Sequence, residues 1–133
     1  MTLEAVPALS IAGMAAAMLV SFALPIALLI YSKKKLHAKT APFFIGCGVF
    51  VVMVVLLESL AHKLILGSTG STITGDPLLF ALYGGLMAAL FEETGRYVAM
   101  RFFVKPPGFG NAFMYGGGHG GIRAMLPIGL TLL

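Results

Sequence analysis

Three ionisable side chains, Glu92, Glu93 and Arg96, lie in the run Phe91-Glu92-Glu93-Thr94-Gly95-Arg96-Tyr97. That run is embedded in apolar sequence, with residues 78–83 before it and residues 98–100 and 102–104 after it. A charge placed in a bilayer costs roughly 2.5–3.5 kcal/mol on insertion scales, so ionisable groups there face a bundle interior and mark a site. In a helix, positions three and four apart share a face. Glu92 and Arg96, Glu93 and Arg96, and Glu93 and Tyr97 are so spaced. One carboxylate can pair with Arg96, which leaves the other in an apolar setting. Two neighbouring carboxylates in such unlike settings are the pattern of acid/base chemistry. The structural alternative is an ion pair between helices, but one glutamate would suffice for that and here there are two.

A second candidate is Tyr115-Gly116-Gly117-Gly118-His119-Gly120-Gly121. The intervening turn centres near Pro106-Pro107, and Glu93 lies about as far before it as His119 lies after it. In an antiparallel helical hairpin rising about 1.5 Å per residue, the carboxylates and the imidazole then sit at a similar depth. Gly116 with Gly120, and Gly117 with Gly121, form small-xxx-small pairs suited to close helix packing. The same glycines would also let a substrate backbone come near. For His119 alone an interhelical hydrogen bond is an equal account; its level with Glu92 and Glu93 favours a site. Glu58 and His62, also four apart, could add ligands or supporting partners, as could Tyr97. Glu58 and His62 lie nearer the outer end of their span, where an interfacial pair beside Lys63 explains them equally well.

Other chemistries find no signature. The single cysteine, Cys47, offers neither a disulfide nor a CxxC metal motif. The stretch from Gly67 to Ser71 is not followed by the Gly-Lys-Ser/Thr of a phosphate cradle. There is no GxSxG, so a serine intramembrane protease has no support.

The elements that must position these groups are membrane helices. Of 133 residues, 59% are hydrophobic and 11% charged, and the mean hydropathy is +0.97. That balance excludes an ordinary soluble domain and excludes disorder. No charge falls between Glu4 and Lys33, a run longer than the ~20 residues a crossing helix needs. It is too long for a cleavable signal peptide, and Glu4 stands where such a peptide carries Lys or Arg. The pattern predicts an all-α polytopic bundle of four transmembrane helices, over about residues 6–31, 41–66, 77–103 and 110–133, within one domain spanning 1–133. The polar stretch from Gly67 to Thr72 is expected to be a loop, Asp76-Pro77 a helix start and Pro106-Pro107-Gly108 a tight break. Lys33, Lys34, Lys35 and Lys39 fall in the first connection, and Arg101 and Lys105 flank the third, against only Lys63 on the other side. By the positive-inside rule the first and third connections are cytoplasmic and the N-terminus is outside. The clustering makes the net charge of +4 a matter of topology, so no nucleic-acid partner is expected.

Glu92-Glu93-Thr94-Gly95-Arg96-Tyr97, followed on the next span by Gly118-His119-Gly120-Gly121-Ile122, resembles the YhfC family of bacterial membrane proteins. These are intramembrane metalloproteases distantly similar to the CAAX-processing and bacteriocin-immunity membrane proteases. The resemblance implies an integral protein of the bacterial cytoplasmic membrane that hydrolyses peptide bonds of membrane peptides or proteins, in or beside the bilayer. Glu92 and Glu93 would activate the water and Arg96 would orient them. His119 would bind a metal, zinc by preference, with Glu93 as a second ligand, or would stabilise the oxyanion. Whether such a site uses a metal or a glutamate-activated water alone stays open. Two departures stand out. The family's second motif typically continues to an acid where this chain has Arg123. Family members are also longer, so this chain looks like an N-terminal half, and the expectation is that alone it is weakly active or inactive. A homodimer or a missing C-terminal half would complete it. The rival readings are a non-catalytic, immunity-like membrane module that binds a partner helix, and a proton or cation pathway through Glu92, Glu93 and His119.

Overall fold

In the computed structural model residues 7–131 are described. They form four helical rods: α1 (Ala8–Lys35), α2 (residues 41–74), α3 (Pro77–Phe103) and α4 (Phe109–Thr131). No strand occurs among the described residues. Helical winding pairs the backbone within each rod, apart from the rod ends and the gap at Pro25 of α1, which is what a bilayer demands of an apolar run. Among the described residues, three helices are long and apolar enough to cross a membrane: Ala8–Lys35, Ala41–Thr69 and Pro77–Phe103. The 23-residue α4 is not among them, because glycines, Asn111, His119 and Arg123 dilute its apolar content. Large apolar side chains point outwards from all four rods, among them Leu19, Leu64, Leu86 and Phe113. That is the surface of a protein solvated by lipid.

The boundaries differ from expectation at two places. α1 runs on to Lys35, so Lys33, Lys34 and Lys35 lie in its last turn and only Lys39 stands in the first connection. The stretch from Gly67 to Thr72 is helical rather than a loop, since Ser59–Thr74 is continuous α-helix. Two of its hydroxyls turn back onto the helix: Ser68 Oγ donates to the Leu64 and Ile65 carbonyls and Thr69 Oγ1 to that of Ile65. Small polar residues that could have opened a turn thus bond within the rod instead. The expected start at Asp76-Pro77 is present. Asp76 Oδ1 accepts from the N–H groups of Leu78 and Leu79 at 2.8 and 3.2 Å, and Pro77 occupies the first turn, where its missing N–H costs nothing. Residues 1–6 and 132–133, which the expected first and fourth spans include in part, lie outside the described residues.

Two devices hold α4 in place. Glycines allow backbone contact with α2. A Cβ on Gly118 would run into the Phe43 carbonyl oxygen, and one on Gly46 would run into the Tyr115 carbonyl oxygen and come 2.7 Å from the His119 nitrogen. Cys47 Sγ donates to the Gly118 carbonyl across the same seam. On α1, Pro25 lies where a Cβ on Gly121 would fall, 2.6 Å from its Cβ. At the lysine-bearing end the buried Asn111 joins two connections: its Oδ1 accepts from the Lys39 N–H and its Nδ2 donates to the Pro106 carbonyl, at 2.9 and 2.8 Å. The buried core nearby is Ala99, Val104 and Tyr115, with Ile45, Val49 and Met100 packed on it.

Candidate active site

Three stretches of α2 and α3 wind as π-helix: Val51–Glu58, Ala89–Glu93 and Ala99–Phe103. Such wide turns recur at functional sites. Two end on the candidate carboxylates, and widening the turn re-aims the side chains that follow. Glu92 consequently points into the bundle, with its side chain 11% exposed, whereas the Glu93 side chain is 64% exposed. Arg96 pairs with Glu93, three residues away, at 2.6 Å, and not with Glu92.

The partner of Glu92 comes from α4. Arg123 Nη1 donates to both Glu92 oxygens, at 2.7 Å each. This pair spans 31 positions of sequence and fixes α3 against α4. His119, one turn earlier on α4, places Nε2 3.9 Å from Glu92 Oε2, beyond hydrogen-bonding distance. The imidazole stands between two rings, edge-on to Phe50 at 5.4 Å and stacked on Tyr115 at 5.7 Å. Neither of its nitrogens, nor the buried Tyr115 hydroxyl, completes a hydrogen bond. A cavity of about 400 Å³ opens onto this group, lined by Glu92, Arg96, Tyr115, His119 and Arg123 together with Gly116 and Gly120. The structure thus brings together a buried carboxylate, a buried imidazole whose nearest polar neighbour besides Glu92 is the Gly46 backbone, a guanidinium and a phenol at one cavity wall.

The other sequence candidates fall elsewhere. Tyr97 is exposed on the outer face of α3. Glu58 and His62 bond to each other, Oε1 to Nε2 at 3.3 Å, and His62 Nδ1 meets Tyr83 Oη at 2.7 Å. None of these contacts reaches Glu92 or His119. Gly117 and Gly121 are buried against α1, but Gly116 and Gly120 face open space, and a Cβ on either meets nothing within 4 Å. They form the ridge between the cavity and an apolar groove of about 320 Å³ against Leu24, Pro25 and Leu28 of α1. The tightest contacts belong to Gly118 and Gly46, which small-xxx-small spacing does not single out. Phe50 is likewise invisible to spacing, because it comes from α2, whereas Tyr115, four residues before His119 on the same helix, lies on the face that helical spacing assigns to it.

With this geometry in hand, comparison with known proteins is informative. The model of the family described as YhfC intramembrane metalloprotease matches residues 20–133. The chain belongs to the YhfC family. It is 40% identical over 131 residues to the uncharacterized membrane protein YhfC of Bacillus subtilis (strain 168), a match that covers 96% of this chain and 49% of that protein. The chain therefore spans about half the length of the curated relative it matches. No solved structure matches. The family and the three apolar helices together make this a membrane protein.

The family's description implies a metal, and the side chains can be tested for one. Catalytic zinc takes three protein ligands and keeps a fourth position open. At this YhfC cavity Glu92 and His119 supply two; Glu93, expected as a ligand beside His119, is turned outwards and held by Arg96. No cluster of three or more His, Cys, Asp or Glu side chains suited to a metal occurs among the described residues. The Arg123 guanidinium already sits astride both Glu92 oxygens. As arranged, these residues do not make a zinc site.

Proposed function

We propose that this YhfC chain carries the hydrolytic carboxylate and histidine of an intramembrane peptidase, working on membrane peptides or proteins in the bacterial plasma membrane. The observation that supports this reading is the convergence of buried Glu92 and buried His119, from consecutive helices, on the wall of one cavity. Glu92 orients a water and takes one proton from it; the water oxygen bonds to the scissile carbonyl carbon. The carbon–nitrogen bond then breaks, and the proton passes to the leaving nitrogen, giving an acid and an amine. His119, with unpartnered nitrogens 3.9 Å away, donates to the carbonyl oxygen as charge develops there. The bare ridge of Gly116 and Gly120 lets a substrate backbone lie close to both. Arg96 and Glu93 brace the approach to the cavity from the same helix. In this reading all four rods cross the bilayer with the N-terminus outside.

The test is slow cleavage of a tagged single-span peptide by the chain in liposomes. It should fall about 100-fold or more in Glu92→Gln and in His119→Ala. Cleavage that survives Glu92→Gln unchanged would sink this assignment.

A second reading has one observation in its favour. Arg123 saturates Glu92, as befits a purely structural pair in a non-catalytic module that binds a partner helix. Such a module would show no cleavage in any variant.

A further inference from the structure

We propose that the Arg123 guanidinium holds the place of a divalent metal at the Glu92–His119 pair, so that the pair takes no zinc while Arg123 is present and holds zinc through these two side chains, with water in the remaining positions, once the guanidinium is removed. The proposal rests on the same two residues as the reading above but not on hydrolysis. Failure to cleave leaves it standing, and its own failure leaves the hydrolytic reading open to a metal.

Position comes first. A single nitrogen, Nη1, lies 2.7 Å from both oxygens of Glu92, which is where a cation bound to both oxygens of a carboxylate would lie. The second donor is ready. His119 is buried, its nitrogens are unpartnered and it lines the same cavity. Two ligands on one tetrahedral zinc, each bonded at about 2.0–2.1 Å, stand about 3.3–3.4 Å apart. The observed 3.9 Å needs to shrink by only about half an ångström, well within one side-chain rotation.

Charge decides between the two cations. Arginine cannot lose its proton in a protein, so pH does not clear the position. A divalent ion added to the same carboxylate would face a fixed positive charge in surroundings of low polarity, where like charges repel strongly. Taking Arg123 away reverses the balance. A buried carboxylate left without its cation is strongly unfavourable, and a metal shared with the His119 imidazole relieves it. The Arg123 side chain is 57% exposed, so its loss opens no void in the core.

The experiment compares the wild-type chain, Arg123→Gln, Arg123→Lys and the double variant Arg123→Gln/His119→Ala in detergent. It measures zinc retained per chain and thermal stability with and without zinc. Wild type and Arg123→Lys should hold no zinc that depends on His119. Arg123→Gln should bind zinc, and free zinc at about 100 times the dissociation constant should raise its folded-to-unfolded ratio about 100-fold. The double variant should lose both effects. Zinc bound by wild type and lost in His119→Ala would overturn the proposal, as would Arg123→Gln that gains nothing over the double variant. Should Arg123→Gln fail to fold without metal, recovery on refolding with zinc supports the proposal and no recovery counts against it.

Discussion

The molecule contains two carboxylate–histidine pairs, and they are built in opposite ways. Glu58 and His62 sit one turn apart on a single helix, so their contact at 3.3 Å needs no tertiary structure; α3 only adds the Tyr83 hydroxyl. Glu92 and His119 come from different helices and meet only because α2, α3 and α4 pack around them. The local pair leaves one buried oxygen, Glu58 Oε2, unpartnered. The assembled pair has a full counter-cation on its carboxylate but leaves its imidazole free. One site therefore carries its unmet need on the acid, the other on the base. That contrast separates a pair that merely closes a helix surface from one poised beside a cavity.

The contrast can be broken most forcefully at the seam between α2 and α4. Gly118→Ala pushes a Cβ into the Phe43 carbonyl, a backbone atom that cannot step aside. It is expected to cost about 3 kcal/mol, the upper end for overpacking, and to separate His119 from Glu92 while leaving Glu58–His62 intact. Gly120→Ala, which meets nothing, is the control; chemical denaturation of both variants checks the difference. Tyr83→Phe acts on the other pair alone and removes one hydrogen bond, with an expected loss of about 1 kcal/mol. The smallest effect is expected at Glu93→Gln. Its ion pair with Arg96 is largely exposed, so stability should change by less than about 1 kcal/mol and cleavage should stay close to wild type. A large loss of cleavage there would return Glu93 to the centre of the site.

Much of this architecture is legible from residue order, and what is not has a physical cause. Runs of apolar residues mark the rods, and Asp76-Pro77 marks a start because capping is local chemistry. The Gly67–Thr72 stretch misleads because its small polar residues suit both a loop and a helix whose hydroxyls bond backwards. Depth along the hairpin brings Glu92 level with His119, 3.9 Å away, while Glu93 turns off to Arg96. Which glutamate turns inwards is not legible. That depends on helix rotation, and the π-helical winding of Ala89–Glu93 alters the usual spacing of faces. Arg123 reads as a departure from a motif until the fold carries it across to Glu92. Gly46 and Gly118 become distinguishable from the other glycines only when two backbones come together.

Asn111 gives this arrangement a mechanical character. By stapling the segment after α1 to the segment after α3, it makes the lysine-bearing end behave like the spine of a book. Any parting of the leaves must widen towards the opposite edge, so the cavity beside Glu92 would gape from the far side while its floor stays bound.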